Sequence, residues 1–389
     1  MIEIVFWSAA GLVAFTYAVF PALLLVRGRA MHRPPASQEI TPRVSLIIAA
    51  YNEAHSIGDK LDNVLALDYP RDLLEVIIAS DGSNDGTDRV VQRYVGDLVK
   101  LHSLPRRGKA SALNDAVAAS SGEILVFSDA NSLYAPDALR ALVRPFADPE
   151  VGGVAGNQRY LGGKGAEGDG EGEVRYWQVD RELKRAEGMA GNTISATGAI
   201  YAIRRSLFMP VPDGVTDDFV TSTRVIAQGK RLVFAPGAIA LEPVAGTSGL
   251  EFGRKVRIMT RGFRGVLMMR ELLNPFRFGF YSFQLFWHKV LRRLMVFPLL
   301  VMLVLNPFLL DQGAVYRWSM AAQAGLYGCA LAYLALRNTR FARLKPLEIP
   351  FFFCMVNAAA LVATWNVVRG YRIDRWEPKR MAHGNAAGG

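Results

Sequence analysis

The chain has 389 residues, 51% of them hydrophobic, with a mean hydropathy of +0.16, a formal charge of +10 and a pI near 9.7. That length allows two to three units of ordinary domain size, and that hydropathy points to membrane segments and away from a purely soluble enzyme. In such a chain the excess of Lys and Arg belongs at a cytoplasmic lipid surface, not on nucleic acid. Two cysteines, Cys329 and Cys354, both in apolar stretches, exclude a disulfide framework and a Cys-based metal site.

Residues 4–26 carry no charge and suffice for one bilayer crossing. No basic leader precedes them, and more apolar residues follow Pro21 where a cleavage site would need small ones. A retained anchor is therefore expected, not a cleaved signal. Arg27, Arg29 and Arg33 come next and place the following chain in the cytoplasm. Three prolines mark 34–42 as a linker.

From residue 43 to 160 strand and helix signals alternate. Strands are predicted at Val44–Ala50, Glu75–Ser80, Leu98–Leu104 and Ile124–Ser128, with a further one at Gly152–Gly156. Helices are predicted at Glu53–Leu67, Gly86–Tyr94 and Gly108–Ala119, and from about Pro136. This order implies a mostly parallel sheet with right-handed crossovers. The glycine-rich, acidic stretch 162–172 reads as a mobile surface loop. Tyr176–Arg185 is a helix candidate, Gly198–Arg204 a strand, and Thr216–Gln228 a helix.

Residues 254–270 form an amphipathic helix, with Arg254, Arg257, Arg261 and Arg264 on one face. The membrane surface suits such a helix; docking on the soluble domain is the competing reading. Three apolar segments follow, Leu294–Leu310, Trp318–Leu336 and Ile349–Val368. None holds an internal charge, which argues against a transporter. Four full crossings with the tail outside are expected, although Arg369, Arg372, Arg375, Lys379 and Arg380 favour the inside. The first of the three segments is the shortest and is broken at Asn306-Pro307. The expected domains are an anchor (1–33), an α/β domain (34–250), interface helices (251–289), C-terminal membrane helices (290–370) and a basic tail (371–389).

The strand Ile124–Ser128 runs straight into Asp129, with Asn131 two positions on. Ligands of open parallel α/β sheets bind at strand carboxyl ends. Residues i and i+2 of an extended segment face one way, so both oxygens can meet one hard cation, Mg²⁺ or Mn²⁺. A simple cap or turn is the competing reading. Two further loops close strands and open helices, Ala50-Tyr51-Asn52-Glu53 and Asp81 to Thr87, the latter including Asn84. Asp81 can accept from a base N–H. Glycines let a ligand approach the backbone, and helix starts offer N–H groups to phosphate. Lys109 stands at a helix start and suits a diphosphate. Asp217 and Asp218 begin a helix on the far side of the domain. Two adjacent carboxylates exceed what capping needs, and a general base is a fair reading.

In this order and spacing AYNE, SDGSNDGT, GKASALN, SDAN, ATGAIYAIRR and TDD resemble the family-2 inverting glycosyltransferases of GT-A fold. The look-alikes are membrane-bound bacterial enzymes akin to cellulose, hyaluronan and poly-N-acetylglucosamine synthases, and the resemblance covers about residues 5–310. It implies that the Ala50–Glu53 and Asp81–Asn84 loops hold the base and ribose of a UDP-sugar, and that Lys109 meets the diphosphate. Asp129 would belong to the metal-holding D-x-D motif, with Asn131 in place of its second Asp. Asp218 would be the catalytic base. Thr197, Gly198, Asp217, Arg254 and Arg257 would lie near the acceptor, a lipid-linked or polysaccharide chain. Membrane lipids and other polysaccharide-assembly proteins are the implied partners, and the bacterial inner membrane the location. The Q-x-x-R-W motif of processive synthases is absent. Arg254-Lys255-Val256-Arg257-Ile258 stands there without the tryptophan that floors the acceptor path. Few sugars per acceptor are expected; a processive, polymer-secreting synthase is the alternative.

Overall fold

Strand β1 (Val44–Ala50) is buried at every position. Such a strand needs an apolar layer on each face, and it has both. Leu46, Ile48 and Ala50 pack with Ile57, Leu61 and Val64 of helix α2 (Ile57–Leu65). Ile47 and Ala49 pack with Leu113 and Ala116 of a helix on the other side. The computed structural model describes residues 1–36, 38–161, 171–243, 248–337, 339 and 344–371. Helix α1 (Ile2–Met31) precedes the sheet.

β1 pairs in parallel with β2 (Leu74–Asp81) and with β4 (Ile124–Asp129), and β2 with β3 (Val99–Leu104). The full order is β3-β2-β1-β4-β7-β6-β8-β5. Here β5 is Leu133–Tyr134, β6 Val151–Leu161, β7 Tyr201–Arg204 and β8 Arg231–Pro243. Three of the pairings, β4 with β7, β6 with β7 and β5 with β8, are antiparallel. The sheet is thus mixed: its first half is parallel as expected, while its second half combines these antiparallel pairings with a parallel one between β6 and β8. β5 and β8 have no counterpart among the predicted strands. β8 carries Pro236-Gly237 at its middle, and its register with β6 slips between Ala155 and Asn157. That break hides the two-residue period from which strands are read.

The chain steps from β1 outward to β2 and β3, then returns to the other side of β1 as β4. This reversal is a switch point, and it opens a crevice at the carboxyl ends of β1 and β4. The helices that line the domain are α3 (Thr87–Gln92), α4 (Lys109–Ala118), α5 (Ala138–Val143), α6 (Glu171–Ala190) and α7 (Asp217–Ala227). The stretch expected as a loop lies outside the described residues, apart from Glu171 and Gly172, which begin α6.

Helix α8 (Ser248–Met268) corresponds to the amphipathic segment. Its arginine face does not lie open on a membrane surface. Arg261 is buried and its Nε donates to the Val215 carbonyl at 2.9 Å. Then come α9 (Phe280–Leu294), α10 (Val296–Gln312), α11 (Ala314–Leu336) and α12 (Lys345–Val368). By length and composition α1, α11 and α12 can each cross a bilayer. The pair α9 and α10, bent by 47°, makes a fourth if it counts as one span.

The packing separates the two limbs of that pair. At one end of α1, Gly28 lies so close to Ala186 of α6 that a Cβ would come within 2.7 Å, and the Arg33 amide donates to the Met189 carbonyl at 2.7 Å. At its other end, Phe6 clusters with Leu309 and Tyr316. There the Tyr316 hydroxyl accepts from Trp7 Nε1 at 3.0 Å and donates to Glu3 at 3.0 Å. α10 therefore leaves the catalytic side at Val296 and ends beside Glu3. Its ten α-helical and seven 3-10 residues rise together about 29 Å, the thickness of a hydrocarbon core. α12 packs along α8, with Asn366 Nδ2 donating to Thr260 Oγ1 at 3.4 Å. The basic tail lies outside the described residues.

Gly122 locks the parallel strands at their other end. Its amide donates to Ser45 Oγ at 2.7 Å, and a Cβ there would stand 2.5 Å from the Ser45 backbone nitrogen. Gly122→Ala is expected to destabilise the domain by about 1–3 kcal/mol, the usual cost of overpacking. An unchanged thermal unfolding midpoint in the same lipid would contradict this.

Candidate active site

Asp129 ends β4 inside the crevice, and its amide donates to the Gly198 carbonyl at 3.0 Å. A Cβ at Gly198 would sit 2.7 Å from Asp129 Oδ2, so a side chain there would displace the carboxylate. Opposite stands Lys109, the first residue of α4, following Gly108 at φ +104°. Its Nζ lies 2.7 Å from Asp129 Oδ1 and 3.2 Å from Asp217 Oδ2. Burial works against the ammonium charge, but Asp129, Asp217 and Asp218 outweigh it and hold the amine above its usual range. Asp217 and Asp218 are thus not on the far side of the domain. α7 begins at the same crevice, because β7 pairs directly with β4 and delivers the chain there.

Asp218 Oδ1 accepts from the Phe219 amide at 2.7 Å. Burial raises its carboxyl first, and the neighbouring Asp217 raises it further. Lys109 pulls the other way, and the carboxyl is pushed up to about 6. A carboxylate poised there is ionised at neutral pH and still basic enough to accept a proton.

The other two loops are knitted to each other. Asn52, at φ +54°, donates its amide to Ser83 Oγ at 3.1 Å and accepts from the Asn84 amide at 3.0 Å. The Glu53 amide donates to Thr87 Oγ1 at 2.8 Å. Tyr51 and Asn84 remain at the surface, and the Arg106 guanidinium lies 3.4 Å over the Tyr51 ring. Three expected donor contacts are less open. Ala50 is fully buried in the core. Glu53 is 1% exposed, with its carboxylate accepting from Ser56 Oγ at 2.7 Å. Asp81 is also 1% exposed. It accepts from the Arg106 guanidinium and from the Arg107 and Gly108 amides at 2.7 and 2.9 Å. Here Asp81 secures the loop that carries Lys109.

Behind Asp129 lies a buried set that the sequence reading missed. Lys60, fully buried on α2, donates to the Ser132 carbonyl at 2.5 Å, with its Nζ 3.7 Å from the Tyr134 ring centre. Burial lowers its amine to about 7 against the pull of Asp129 and Glu242. Glu242 accepts from Ser132 Oγ, and from Gln158 Nε2 at 2.6 Å. Burial and Asp129 push its carboxyl up to about 7. Nothing in the sequence singles out Lys60, which sits in an ordinary amphipathic helix.

On the acceptor side the Thr197 hydroxyl is buried and has no hydrogen-bond partner among the described residues. Arg254 is close enough to Glu242 to lower its carboxyl. Arg257 is lowered by burial first, then by Arg261 and Arg254.

Among the described residues no three His, Cys, Asp or Glu side chains gather as a metal cage. Asp129 and Asn131, both part-exposed at the crevice, offer one carboxylate and one amide oxygen. Such a hard, incomplete donor set fits a Mg²⁺ or Mn²⁺ ion completed by diphosphate and water.

A switch-point crevice on a mixed sheet of this kind is the arrangement of GT-A glycosyltransferases. One solved neighbour shares the whole architecture. Mannosyltransferase PcManGT from Pyrobaculum calidifontis, in complex with GDP-Man and Mn²⁺, has a TM-score of 0.71 and 26% identity, covering 95% of this chain and 99% of that one. Residues 45–211 match Glycosyl transferase family 2, and the chain carries a domain of that family. Poly-beta-1,6-N-acetyl-D-glucosamine synthase of Staphylococcus aureus (strain COL) is 27% identical over 252 residues, 63% of this chain and 60% of the relative. The synthase of the same name from Staphylococcus epidermidis is 28% identical over 243 residues, 59% and 58% of the two chains. The match thus spans about 60% of these curated relatives.

Gly198→Ala should push the Asp129 carboxylate aside while leaving the fold intact. Loss of such a supporting contact typically weakens metal binding about 10–100-fold. Mn²⁺ binding in the presence of nucleoside diphosphate, followed by electron paramagnetic resonance, reads this directly. Unchanged Mn²⁺ affinity would remove Asp129 from the metal site.

Proposed function

We propose that the chain is an inverting glycosyltransferase at the cytoplasmic face of a bacterial inner membrane. It moves a sugar from a UDP-sugar to a membrane-associated acceptor, lipid-linked or polysaccharide. The observation that carries this reading is the bridge of Lys109 to Asp129 and Asp217, with Asp218 next in the chain. It brings a diphosphate-binding cation, a metal-binding carboxylate and a base to one crevice.

Tyr51 and Arg106 offer a stacked surface to the base, beside Asn84. Lys109 meets the diphosphate. A divalent ion, Mg²⁺ or Mn²⁺, held by Asp129 and Asn131 would neutralise charge on that leaving group. Asp218 takes the proton of the acceptor hydroxyl. The oxygen then forms a bond to the anomeric carbon from the face opposite the diphosphate. The bond from that carbon to the diphosphate breaks, the nucleoside diphosphate leaves, and configuration inverts. Thr197, Gly198, Arg254 and Arg257 border the acceptor. Without a tryptophan after Arg257 the path lacks an aromatic floor, which favours one or few additions over processive synthesis.

A GDP-sugar is the second reading, favoured by the GDP-Man complex of PcManGT. Turnover of a panel of UDP- and GDP-sugars by the protein in native lipid, with product masses measured, decides between them. A ladder of long products would instead restore processivity. No turnover of any nucleotide sugar would end the reading.

Asp218→Asn keeps the shape and removes the base. A fall in rate of about 10²–10⁴-fold is expected with donor binding little changed; near-normal turnover would refute the assignment. Because the base works ionised and its carboxyl stands near 6, the rate should fall as pH drops through about 6. A rate flat from pH 5 to 8 would contradict that role.

A further inference from the structure

Between α6 and β7 the chain runs through residues 191–200 without forming a helix or a strand. The backbone of such a buried loop has to find its partners outside any ladder, and groups from α6, α7, β8 and α9 supply them. Ile194, fully buried, is held on both sides. Its amide donates to Glu187 Oε2 of α6 at 2.9 Å, and its carbonyl accepts from the Tyr281 hydroxyl of α9 at 2.9 Å. The Asn192 carbonyl accepts from Gln284 Nε2 of α9 at 3.1 Å, and the Asn192 side-chain oxygen accepts from the Leu232 amide of β8 at 2.9 Å. The Ala196 amide donates to Ser222 Oγ at 3.0 Å, one turn along α7 from Asp218. Two residues on, the loop reaches Gly198, whose backbone accepts from the Asp129 amide and stands against the Asp129 carboxylate. Ser128 Oγ adds a bond to the Ala199 carbonyl at 3.3 Å.

The two α9 side chains in this set are three residues apart and so share one face of the helix. Both are buried, Tyr281 to 5% and Gln284 to 4% exposure. The Tyr281 ring packs in the cluster of Val215, Phe219 and Val220, which fixes where its hydroxyl stands. Another face of α9 is seated on α1. The Trp287 ring centre lies 4.4 Å from that of Phe15 and 6.1 Å from that of Phe20, and the Arg27 guanidinium lies 4.1 Å from the centre of the Phe280 ring. Ser282, between the two, turns elsewhere and donates to the Leu272 carbonyl at 2.8 Å. The wall behind Asp129 is therefore fastened to a helix outside the sheet, and that helix is fastened to α1.

We propose that Tyr281, aided by Gln284, is a positioning residue for the metal-holding carboxylate. It touches neither metal nor substrate and acts through the loop: it sets residues 194–198, and Gly198 in turn sets Asp129. Through Ala196 and Ser222 the same loop is tied to the helix that carries Asp218. The proposal rests on the reading of Asp129 as a metal ligand. Removing the Tyr281 hydroxyl leaves the Ile194 carbonyl buried and unpaired, and such a group is costly enough for the loop to move toward another donor. Gly198 has no room to follow without displacing the carboxylate.

The test uses the whole chain in phosphatidylcholine nanodiscs. Tyr281→Phe keeps the ring in its cluster and removes only the hydroxyl. Ser282→Ala removes a buried hydrogen bond from the same helix and leaves the loop alone. Mn²⁺ affinity with UDP or GDP present is followed by electron paramagnetic resonance, and hydrogen exchange is followed over residues 191–200 without metal. Tyr281→Phe should weaken Mn²⁺ binding about tenfold, the lower end for loss of a supporting contact, and speed exchange in the loop. Gln284→Met should change both in the same direction, and it carries the test if Tyr281→Phe does not fold. Ser282→Ala should lower the thermal unfolding midpoint about as much as Tyr281→Phe does while leaving Mn²⁺ affinity and loop exchange unchanged. Wild-type Mn²⁺ affinity in folded Tyr281→Phe, or in Gln284→Met where that variant decides, would overturn the proposal. An equal loss in Ser282→Ala would do so too, by making the effect one of general stability. A wild type that binds no Mn²⁺ with either nucleotide would refute the metal site itself and this proposal with it.

Discussion

One ammonium group ties the catalytic half of the molecule together. Lys109 joins the end of β4 to the start of α7 through Asp129 and Asp217, in a place where its own side chain is 12% exposed. Charges at that depth are stable only as a set; removing one partner of a buried pair costs about 3–5 kcal/mol. The same set also defines the chemistry. Asp217 is engaged by the lysine, and after burial its charge is what raises Asp218. In the proposed mechanism the two adjacent carboxylates take different roles, one fixed as a counter-ion and one left as the base.

The rest of the sheet serves that arrangement. Asp81 holds the loop before Lys109 by accepting from its backbone, so the strand end positions the cation at one remove. Lys60, Ser132 and Glu242 hold the turn after Asp129 from behind. β8 contributes Glu242 from the mixed half of the sheet, and α8 is the next helix in the chain. The metal turn and the interface helix are therefore linked through one buried carboxylate and Arg254.

Attachment to the apolar helices is equally specific. Gly28 admits α1 to α6 at a distance no side chain would allow, and the Arg33 amide continues the contact. α9 then returns along α6 with its charged face inward and its phenylalanines outward. A segment with this division suits an interface, and α9 and α10 have the length and composition to cross only when taken together as one bent span.

The sequence by itself determined the parallel half of the sheet and marked candidate residues at its strand ends. β1 was legible to the residue, because a strand buried on both faces reads as an unbroken apolar run. The loops at Tyr51, Asp81 and Asp129 stood out because polar residues that follow such runs have little other reason to be there. What it did not reveal depends on partners distant in the chain. β8 escaped notice because Pro236-Gly237 and a bulge interrupt its period. Lys60 and Glu242 look like solvated charges until the fold buries both beside Ser132. Asp217 and Asp218 were placed on the wrong side because only the antiparallel pairing of β7 with β4 returns the chain to the crevice. Local pattern reports which face of an element is apolar; which elements meet, and so which charges are forced to share one site, is set by pairing between strands distant in the chain, and only the tertiary structure decides it.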